Sequence, residues 1–256
     1  MRVVLLGDPV AHSRSPAIQR AALAAAGILG SYEARRVDER GVYLACAEIR
    51  AGSLRGANVT MPYKRVACAA ADRLAPPAAR CRAANTLLGE GGEVVGHNTD
   101  VGGLLAAWER AGIPRGVPAL LLGGGGAAAA VLVALAGMGA VIATRRSGAG
   151  QALADALGVP VTGIPWGEPL AGAVVVNATP LGMQGESLPP GVVEAAAGLV
   201  DLAYGPEATP AVVLARRRGL PAADGLDVLV AQAALSFELW AGVPAPVAAM
   251  EAAART

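Results

Sequence analysis

The chain has 256 residues, of which 54% are hydrophobic, 16% are charged and only 3% are aromatic. This length suits one large domain or two small ones with a buried core. The net charge of +1 argues against a basic surface that would bind nucleic acid or an anionic membrane, so neither partner is expected.

Cysteines and histidines are few and form no ligand pattern. Cys46, Cys68 and Cys81 include no C-x-x-C pair, so reduced thiols and a cytoplasmic protein are expected. His12 and His97 are too few and too widely separated to indicate a zinc cluster, so we expect no metal.

One segment is long enough to cross a bilayer without a charged residue, namely the stretch between Arg115 and Arg145. Four consecutive glycines, Gly123–Gly126, interrupt it, and Gly137 and Gly139 interrupt it again. The pattern therefore predicts a strand, a glycine loop, a helix, a turn and a second strand rather than a membrane span.

The first elements in chain order are a strand, a polar loop and a helix. Arg2–Leu6 is almost continuously apolar, as in a strand buried on both faces. Ser15 and Pro16 predict the N-cap and the first residue of a helix that runs to about Ala26. Capping does not account for Ser13. Two hydroxyls beside a helix N-terminus suit a carboxylate or phosphate, although an ordinary loop serine also fits the pattern.

Alternating strands and helices follow, which predicts a mostly parallel sheet. The predicted ranges are a strand at Tyr32–Val37, a helix at Gly41–Arg50 and a strand at Gly56–Met61. This last strand leads into the segment Asn58-Val59-Thr60-Met61-Pro62-Tyr63-Lys64.

Pro62 ends strand pairing because it has no N–H to donate. Thr60 and Lys64 therefore lie at a sheet edge, where open α/β sheets usually bind ligands. A solvated lysine after a strand end is the alternative interpretation of Lys64. We expect Asn58 to shape the strand end rather than to contact a ligand.

The next polar groups flank a predicted hairpin around Glu90–Glu93. Asn85 precedes the hairpin, and Asp100 follows it at the start of a helix that runs to about Ala111. Asp100 either caps this helix or takes part in a site. His97 lies among polar loop residues, and we assign it no chemistry.

A second unit begins near Pro118 with the strand Ala119–Leu122. The following residues match the G-x-G-x-x-G/A fingerprint, with Ala128 in the third position, before a helix and the strand Ala140–Ala143. Glycines at this point let backbone N–H groups approach a pyrophosphate at a helix N-terminus. This context predicts a dinucleotide site.

The residues after the second strand of this unit indicate which dinucleotide is bound. A site for NAD usually has Asp or Glu at that place, whereas this chain has Thr144-Arg145-Arg146-Ser147. A guanidinium suits the 2′-phosphate of NADP, so the sequence favours NADP over NAD. Two solvated arginines at a strand end are the alternative.

Two further strands and a long helix are predicted in the rest of the chain. Val174–Asn177 is a predicted buried strand whose following loop places Met183 near the cofactor edge, although a loop methionine is often only a packing residue. Leu199–Leu202 is a further strand. A long helix opens at Asp224, and its buried amide, Gln232, would need hydrogen-bond partners that a ligand could supply.

Taken in order, these motifs resemble the shikimate dehydrogenase family over essentially the whole chain. The matching segments are Ser13–Pro16, Asn58–Lys64, Ala84–Thr86, Asn98–Asp100, Gly123–Ala128, Asn177–Met183, and Gln232–Ala234 with Phe237 and Trp240. The resemblance implies an α/β fold of two domains with a cleft between them. Residues 1–101 and 225–256 would form a substrate-binding domain with a mostly parallel sheet. Residues 102–224 would form a Rossmann-type NADP-binding domain.

The resemblance also implies the roles of individual residues. Lys64 and Asp100 would be the catalytic pair. The residues implied to bind substrate are Ser13, Ser15, Thr60, Lys64, Asn85, Asp100, Tyr204 and Gln232. The residues implied to bind NADP are Gly123, Gly124, Gly125, Gly126, Ala127, Thr144, Arg145, Met183 and Gly225.

The activity implied is the NADPH-dependent reduction of 3-dehydroshikimate to shikimate by a monomer or homodimer, within aromatic amino acid biosynthesis. Lys64 as an ammonium fits the proton donor that reduction of a ketone requires. Two alternatives stay open: a dehydrogenase of quinate or an amino analogue, and a nucleotide-binding regulator without catalysis. The chain departs from the family pattern at Thr144, where many members have Asn, and at Ala128–Ala130, where a larger side chain often occurs.

Overall fold

The computed structural model describes residues 1–256 and divides them into two compact units. The first unit contains Met1–Gly103 together with Leu229–Thr256, and the second contains Leu104–Val228. Each unit is built around one six-stranded sheet. No helix is both long and apolar enough to cross a lipid bilayer.

The strands of the first unit form a single sheet in the order β2-β1-β3-β5-β6-β4. These strands are β1 (Arg2–Gly7), β2 (Ser31–Arg36), β3 (Gly56–Val59), β4 (Arg73–Leu74), β5 (Thr86–Glu90) and β6 (Glu93–His97). Only β5 runs against the others, because β5 pairs antiparallel with both β3 and β6 while the remaining pairs are parallel. The prediction of a mostly parallel sheet is confirmed.

The predicted hairpin joins β5 to β6 through Gly91 and Gly92. Both glycines have positive φ angles, 59° and 87°. A two-residue loop with positive φ at both positions matches the twist of antiparallel strands, and glycine adopts this conformation without strain.

Helices cover both faces of this sheet. They include α1 (Ser15–Ala25), α2 (Glu39–Arg50), α3 (Lys64–Ala70) and α4 (Pro76–Cys81), while α5 (Thr99–Arg110) begins in the first unit and ends in the second. Val3 and Leu5 of β1 belong to one apolar cluster, which includes Ile18 of α1. Val4 and Leu6 belong to a second cluster. Since alternate residues of a strand face opposite sides, β1 is buried on both faces, as predicted.

The second unit has an all-parallel sheet in the order β12-β11-β10-β7-β8-β9. Its strands are β7 (Ala119–Leu122), β8 (Ala140–Ala143), β9 (Thr162–Ile164), β10 (Val174–Asn177), β11 (Gly198–Asp201) and β12 (Ala222–Ala223). Its helices within the unit are α6 (Gly126–Ala134), α7 (Ala149–Leu157) and α8 (Pro210–Arg217). This is the doubly wound Rossmann order, whose ligand crevice lies where the strand order reverses, between β7 and β10.

Two C-terminal helices complete the chain, α9 (Gly225–Ala241) and α10 (Val247–Ala254). Asp224 begins α9, since its Oδ1 accepts the backbone N–H groups of Leu226 and Asp227 at 3.0 Å each. Phe237 and Trp240 are almost completely buried, so this helix packs against the core of the first unit.

Candidate active site

An ion pair joins the first turns of two helices in the first unit. Lys64 is the first residue of α3, and Asp100 is the second residue of α5. The Lys64 Nζ lies 2.7 Å from Asp100 Oδ2, and the two side chains are 22% and 24% exposed. Both charged groups are therefore partly desolvated yet still open to a ligand. The capping interpretation of Asp100 is not needed, because its carboxylate faces Lys64.

The sheet register explains why these helices begin side by side. Asn58 pairs with Thr86, and Thr86 pairs with His97. The end of β3, the start of β5 and the end of β6 therefore lie at one edge of the sheet. Lys64 follows the first of these points, and Asp100 follows the last.

Asn85 holds the carboxylate of Asp100 from the other side. Its Nδ2 lies 2.9 Å from Asp100 Oδ1, while its Oδ1 accepts the backbone N–H of Thr99 at 2.8 Å. A backbone N–H can only donate and an ionised carboxylate can only accept, so these two contacts fix the orientation of the amide. One oxygen of Asp100 thus faces Asn85 and the other faces Lys64.

Gln232 approaches the same group from α9. Its Nε2 donates to the carbonyl of Leu229 at 2.8 Å, and its Oε1 lies 3.3 Å from Asn85 Nδ2. The predicted need for partners at this buried amide is thus met in part by the protein itself. The long contact with Asn85 is the one that a ligand hydroxyl could most easily replace.

Ser13, Ser15 and Thr60 follow the ends of β1 and β3. The prediction that Ser15 is the N-cap of α1 is wrong, because Ser15 is the first helical residue and makes no capping bond. The Oγ of Ser13 instead accepts the backbone N–H of Ser15 at 3.2 Å. Thr60 packs so closely on Gly7 that a Cβ at Gly7 would lie 2.3 Å from the Thr60 methyl group. These hydroxyls therefore lie on tightly packed turns.

The glycine loop of the second unit lies between β7 and α6. Gly123 has a φ of +112°, and a Cβ there would lie 3.0 Å from the carbonyl oxygen of Ala178. Gly125 and Gly126 are exposed at the start of α6, and a Cβ on either would meet no other atom within 4 Å. This bare helix N-terminus fits a pyrophosphate, whose oxygens would accept from its N–H groups.

The small residues after the loop have a packing reason. Ala128, Ala129 and Ala130 are 0%, 7% and 4% exposed, and Ala127 precedes them in the first turn of α6. A third small residue in this fingerprint allows a helix to pack closely on its strand. The departure from the family pattern at Ala128–Ala130 is therefore compatible with the fold.

Thr144 and Arg145 come directly after β8. The Thr144 hydroxyl donates to the carbonyl of Arg146 at 2.8 Å, while Arg145 is exposed. Thr144 and Arg145 line a pocket of about 490 Å³ together with residues of the β9 region, including Trp166. A ligand of nucleotide size fits such a volume.

The loops after β10 and β11 carry Met183 and Tyr204. Met183 is 46% exposed. A Cβ on Gly205 would lie 3.0 Å from the carbonyl oxygen of Met183, so the two loops are in contact. Gly225 packs against the loop after β11, because a Cβ on Gly225 would lie 2.6 Å from the carbonyl oxygen of Ala203. Only glycine fits at Gly225 without moving that loop.

A buried carboxylate that the sequence analysis missed holds these loops together. Asp201 is 0% exposed, and its Oδ1 accepts from Asn177 Nδ2 at 2.8 Å and from the backbone N–H of Ala203 at 3.0 Å. Its Oδ2 accepts from the hydroxyl of Thr209. Burial raises the pKa of Asp201 above its ordinary value of 3.8, and these donors offset that effect only in part.

This shift predicts a pH-dependent difference between the protein and an Asp201→Asn variant. A raised pKa means that the folded state binds the proton more tightly, so this stabilisation is full below about pH 3.8 and is lost as pH rises through the folded-state pKa. The variant cannot titrate there, so its free energy of unfolding relative to wild type should increase as pH rises from about 3.8 through the folded-state pKa of Asp201. Denaturant unfolding at several pH values measures this. A difference that stays constant would contradict the prediction.

A second feature missed by the sequence analysis is a cluster of buried hydroxyls beneath Asn85. Thr86, Thr99 and Ser236 are 0%, 5% and 0% exposed. Asn58 joins this cluster through Thr86 and Ser236 and also donates to the backbone carbonyl of Asn85 at 3.1 Å. The expectation that Asn58 shapes the strand end is thus confirmed.

One available sequence signal was also missed. Lys64 is the only lysine in the chain, although arginine occurs throughout it. Arginine stays charged at any ordinary pH, whereas lysine can transfer a proton. Retention of a single lysine beside Asp100 therefore points to a need for that chemistry.

Models of known protein families match two parts of the chain. The family model described as the shikimate dehydrogenase substrate binding domain matches residues 5–87. The model described as the shikimate 5′-dehydrogenase C-terminal domain matches residues 225–255. Both matches fall mainly in the unit that holds Lys64, Asn85 and Gln232.

Relatives align along the whole chain. The shikimate dehydrogenase (NADP(+)) of Thermus thermophilus is 39% identical, covering 100% of this chain and 98% of its own. That of Moorella thermoacetica is 40% identical, with 97% and 90% covered. A crystal structure of shikimate 5-dehydrogenase from Thermus thermophilus, in complex with NADP(H) and shikimate, matches with a TM-score of 0.90 at 38% identity. It covers 100% of this chain and 98% of that one. Because these relatives are 38–40% identical over nearly the whole chain, the chain belongs to the shikimate dehydrogenase family.

Proposed function

We propose that this protein is an NADP-dependent shikimate dehydrogenase, which reduces the ring ketone of 3-dehydroshikimate to the hydroxyl of shikimate and catalyses the reverse oxidation. The reaction is a step of aromatic amino acid biosynthesis. The observation that carries the proposal is the 2.7 Å contact between Lys64 and Asp100 at the ligand edge of the first sheet. Full-length relatives named for this activity support it.

In this proposal the two domains bind different ligands. The predicted substrate-binding domain, residues 1–101 and 225–256, holds the organic acid. The predicted Rossmann domain, residues 102–224, holds NADP. The strand order of the second unit supports this division, because its reversal point lies beside the glycine loop.

The substrate contacts follow from the donors present in the first unit. Ser13 and Ser15 bind the carboxylate, since their hydroxyls lie at the start of α1, where the helix dipole favours a negative charge. Thr60, Asn85 and Gln232 bind the ring hydroxyls. Tyr204, on the loop after β11 of the second unit, is proposed as a further substrate contact.

The chemistry requires that a proton reach the carbonyl oxygen as negative charge develops there. NADPH supplies the hydride when it is bound. Lys64 as an ammonium donates the proton and stabilises the developing charge, and Asp100 orients Lys64 through the 2.7 Å contact. Asn85 keeps Asp100 in that position through its amide. In the oxidation direction the neutral amine accepts the proton of the substrate hydroxyl.

The cofactor contacts rest on the fit of the second unit to NADP. Gly123, Gly124, Gly125, Gly126 and Ala127 cradle the pyrophosphate, because the start of α6 at Gly125 and Gly126 is free of neighbouring atoms. Arg145 and Thr144 bind the 2′-phosphate of the adenosine. Met183 and Gly225 border the nicotinamide end.

Direct turnover tests the proposal. Purified protein should oxidise NADPH in the presence of 3-dehydroshikimate, with the loss of reduced-nicotinamide absorbance matched by shikimate identified as the product. A Lys64→Ala preparation that is still folded serves as the control for contaminating enzymes. A nucleotide-binding regulator would bind NADP without turnover, and that result would overturn the proposal.

Two further properties belong to the proposal. We place the enzyme in the cytoplasm, because all three cysteines are free thiols and two of them are buried. We also propose a monomer or homodimer, which light scattering on the purified protein would distinguish.

A further inference from the structure

We propose that Ser236 is a positioning residue that sets the geometry of Gln232 and Asn85, and through Asn85 that of Asp100. The inference rests on the proposed function, since it assigns a role within the same site. Ser236 itself is completely buried, so it cannot contact a ligand.

Ser236 is the point at which four elements of the first unit meet. Its Oγ lies 2.8 Å from Thr86 Oγ1 on β5 and 3.0 Å from Thr99 Oγ1 on α5. It also accepts from Asn58 Nδ2 on β3 at 3.2 Å and donates to the backbone carbonyl of Gln232 on α9 at 3.0 Å. The helix that carries Gln232 is therefore tied to the start of the helix that carries Asp100.

Thr99 passes this constraint to the amide of Asn85. The Thr99 hydroxyl lies 2.9 Å from Asn85 Nδ2, and its backbone N–H donates to Asn85 Oδ1 at 2.8 Å. The Thr86 hydroxyl also lies 3.1 Å from Asn85 Oδ1. Asn85 is thus held by two of the hydroxyls that Ser236 contacts, and it in turn holds Asp100.

The side-chain amide of Asn58 has a fixed orientation in this cluster. Tyr32 donates to Asn58 Oδ1 at 2.7 Å, and burial raises the pKa of Tyr32 so that its phenol keeps the proton. The backbone carbonyl of Asn85 can only accept, so Asn58 Nδ2 must face it. Loss of the Ser236 hydroxyl would leave Thr86, Thr99 and Asn58 each short of a buried partner, which favours rearrangement around Asn85.

The Ser236→Ala variant tests the assignment through a split between kinetic parameters. We expect kcat/KM for shikimate to fall about ten- to one-hundredfold, while KM for NADP+ changes by less than about twofold. A matched control is Gln19→Met, which removes another buried side-chain bond to α9, from Gln19 Nε2 to the carbonyl of Ala233 at 2.9 Å. This control should lower the melting temperature without changing kcat/KM for shikimate.

A double-mutant comparison separates positioning from a general loss of stability. If Ser236 acts through Gln232, adding Ser236→Ala to Gln232→Ala should lower kcat/KM by a smaller factor than it does in the wild-type background. The assignment would be overturned if Ser236→Ala lowered kcat/KM by the same factor in the wild-type and Gln232→Ala backgrounds. It would also be overturned if the wild-type protein were active and Ser236→Ala had unchanged kinetics. If the alanine variant does not fold, Ser236→Cys replaces it in the same kinetic comparison. Cysteine has nearly the same shape as serine but forms only weak hydrogen bonds.

A readout without turnover keeps this test independent of the proposed function. The side-chain amide resonances of Asn85 and Gln232 should shift in Ser236→Ala and stay in place in Gln19→Met. An inactive wild-type protein would refute the proposed function, and the amide resonances would still decide the role of Ser236. Unshifted resonances in Ser236→Ala would overturn it.

Discussion

Replacement of Lys64 by alanine should lower kcat for shikimate oxidation roughly 10²- to 10⁴-fold, with KM for shikimate changed by less than about tenfold. In the proposed mechanism the ammonium acts on the reacting oxygen, while the binding assigned to Ser13, Ser15 and Thr60 does not depend on it. Steady-state kinetics with saturating NADP+ measures both parameters.

A Lys64→Arg variant serves as the sharper control. Arginine keeps the positive charge opposite Asp100, but its guanidinium does not release a proton at ordinary pH. If Lys64 transfers the proton, Lys64→Arg should be nearly as slow as Lys64→Ala. Near-normal turnover in Lys64→Arg would show that the charge alone matters, and near-normal turnover in Lys64→Ala would remove Lys64 from the mechanism.

Replacement of Arg145 by alanine should raise KM for NADP+ about ten- to one-hundredfold and leave KM for NAD+ within about twofold. A charge-assisted hydrogen bond to the 2′-phosphate contributes about 1.5–3 kcal/mol, and NAD+ has no such phosphate. Kinetics with each cofactor at saturating shikimate measures the two constants.

Arg217→Ala is the matched control for this prediction. Arg217 lies in the same unit, at the exposed end of α8, so its loss makes the same change in net charge. It should leave both cofactor constants unchanged. If Arg145→Ala raised KM for NADP+ and NAD+ by the same factor, the assignment of Arg145 to the 2′-phosphate would be wrong.

Local patterns predicted the elements that carry the cofactor loop. The strands at Ala119–Leu122, Ala140–Ala143 and Val174–Asn177 have the predicted bounds. Each is a short, mainly apolar run next to glycine, proline or polar residues, so its ends are sharply marked. The glycine loop follows the same logic, because its meaning depends only on the strand before it and the helix after it.

Short or edge elements were not predicted. Strands β4 and β12 have two residues each, and a pattern of period two cannot be recognised over that length. Helix α4 was not predicted either, and it begins with Pro76 and Pro77, which the first turn of a helix tolerates. The cap of α1 was misassigned because a serine before a proline fits an N-cap, whereas Arg14 holds that position without a side-chain capping bond.

The buried polar groups were missed for a different reason. Ser236 and Thr86 are 150 residues apart in sequence, yet their hydroxyl oxygens lie 2.8 Å apart in the structure. Asp201 resembles any polar residue at the end of a strand until Asn177 and Thr209 are seen to surround it. Such contacts arise from tertiary packing, which no local pattern encodes. The roles of Lys64 and Asp100 were predicted because the family resemblance implied them.

The most direct test compares kcat/KM for four combinations, shikimate or quinate with NADP+ or NAD+, on the same preparation of wild-type protein. We predict the highest value for shikimate with NADP+, because the proposed function assigns Arg145 to the 2′-phosphate and the polar groups around Asn85 to the hydroxyls of shikimate. A higher value for quinate, or for NAD+ with either substrate, would contradict this account.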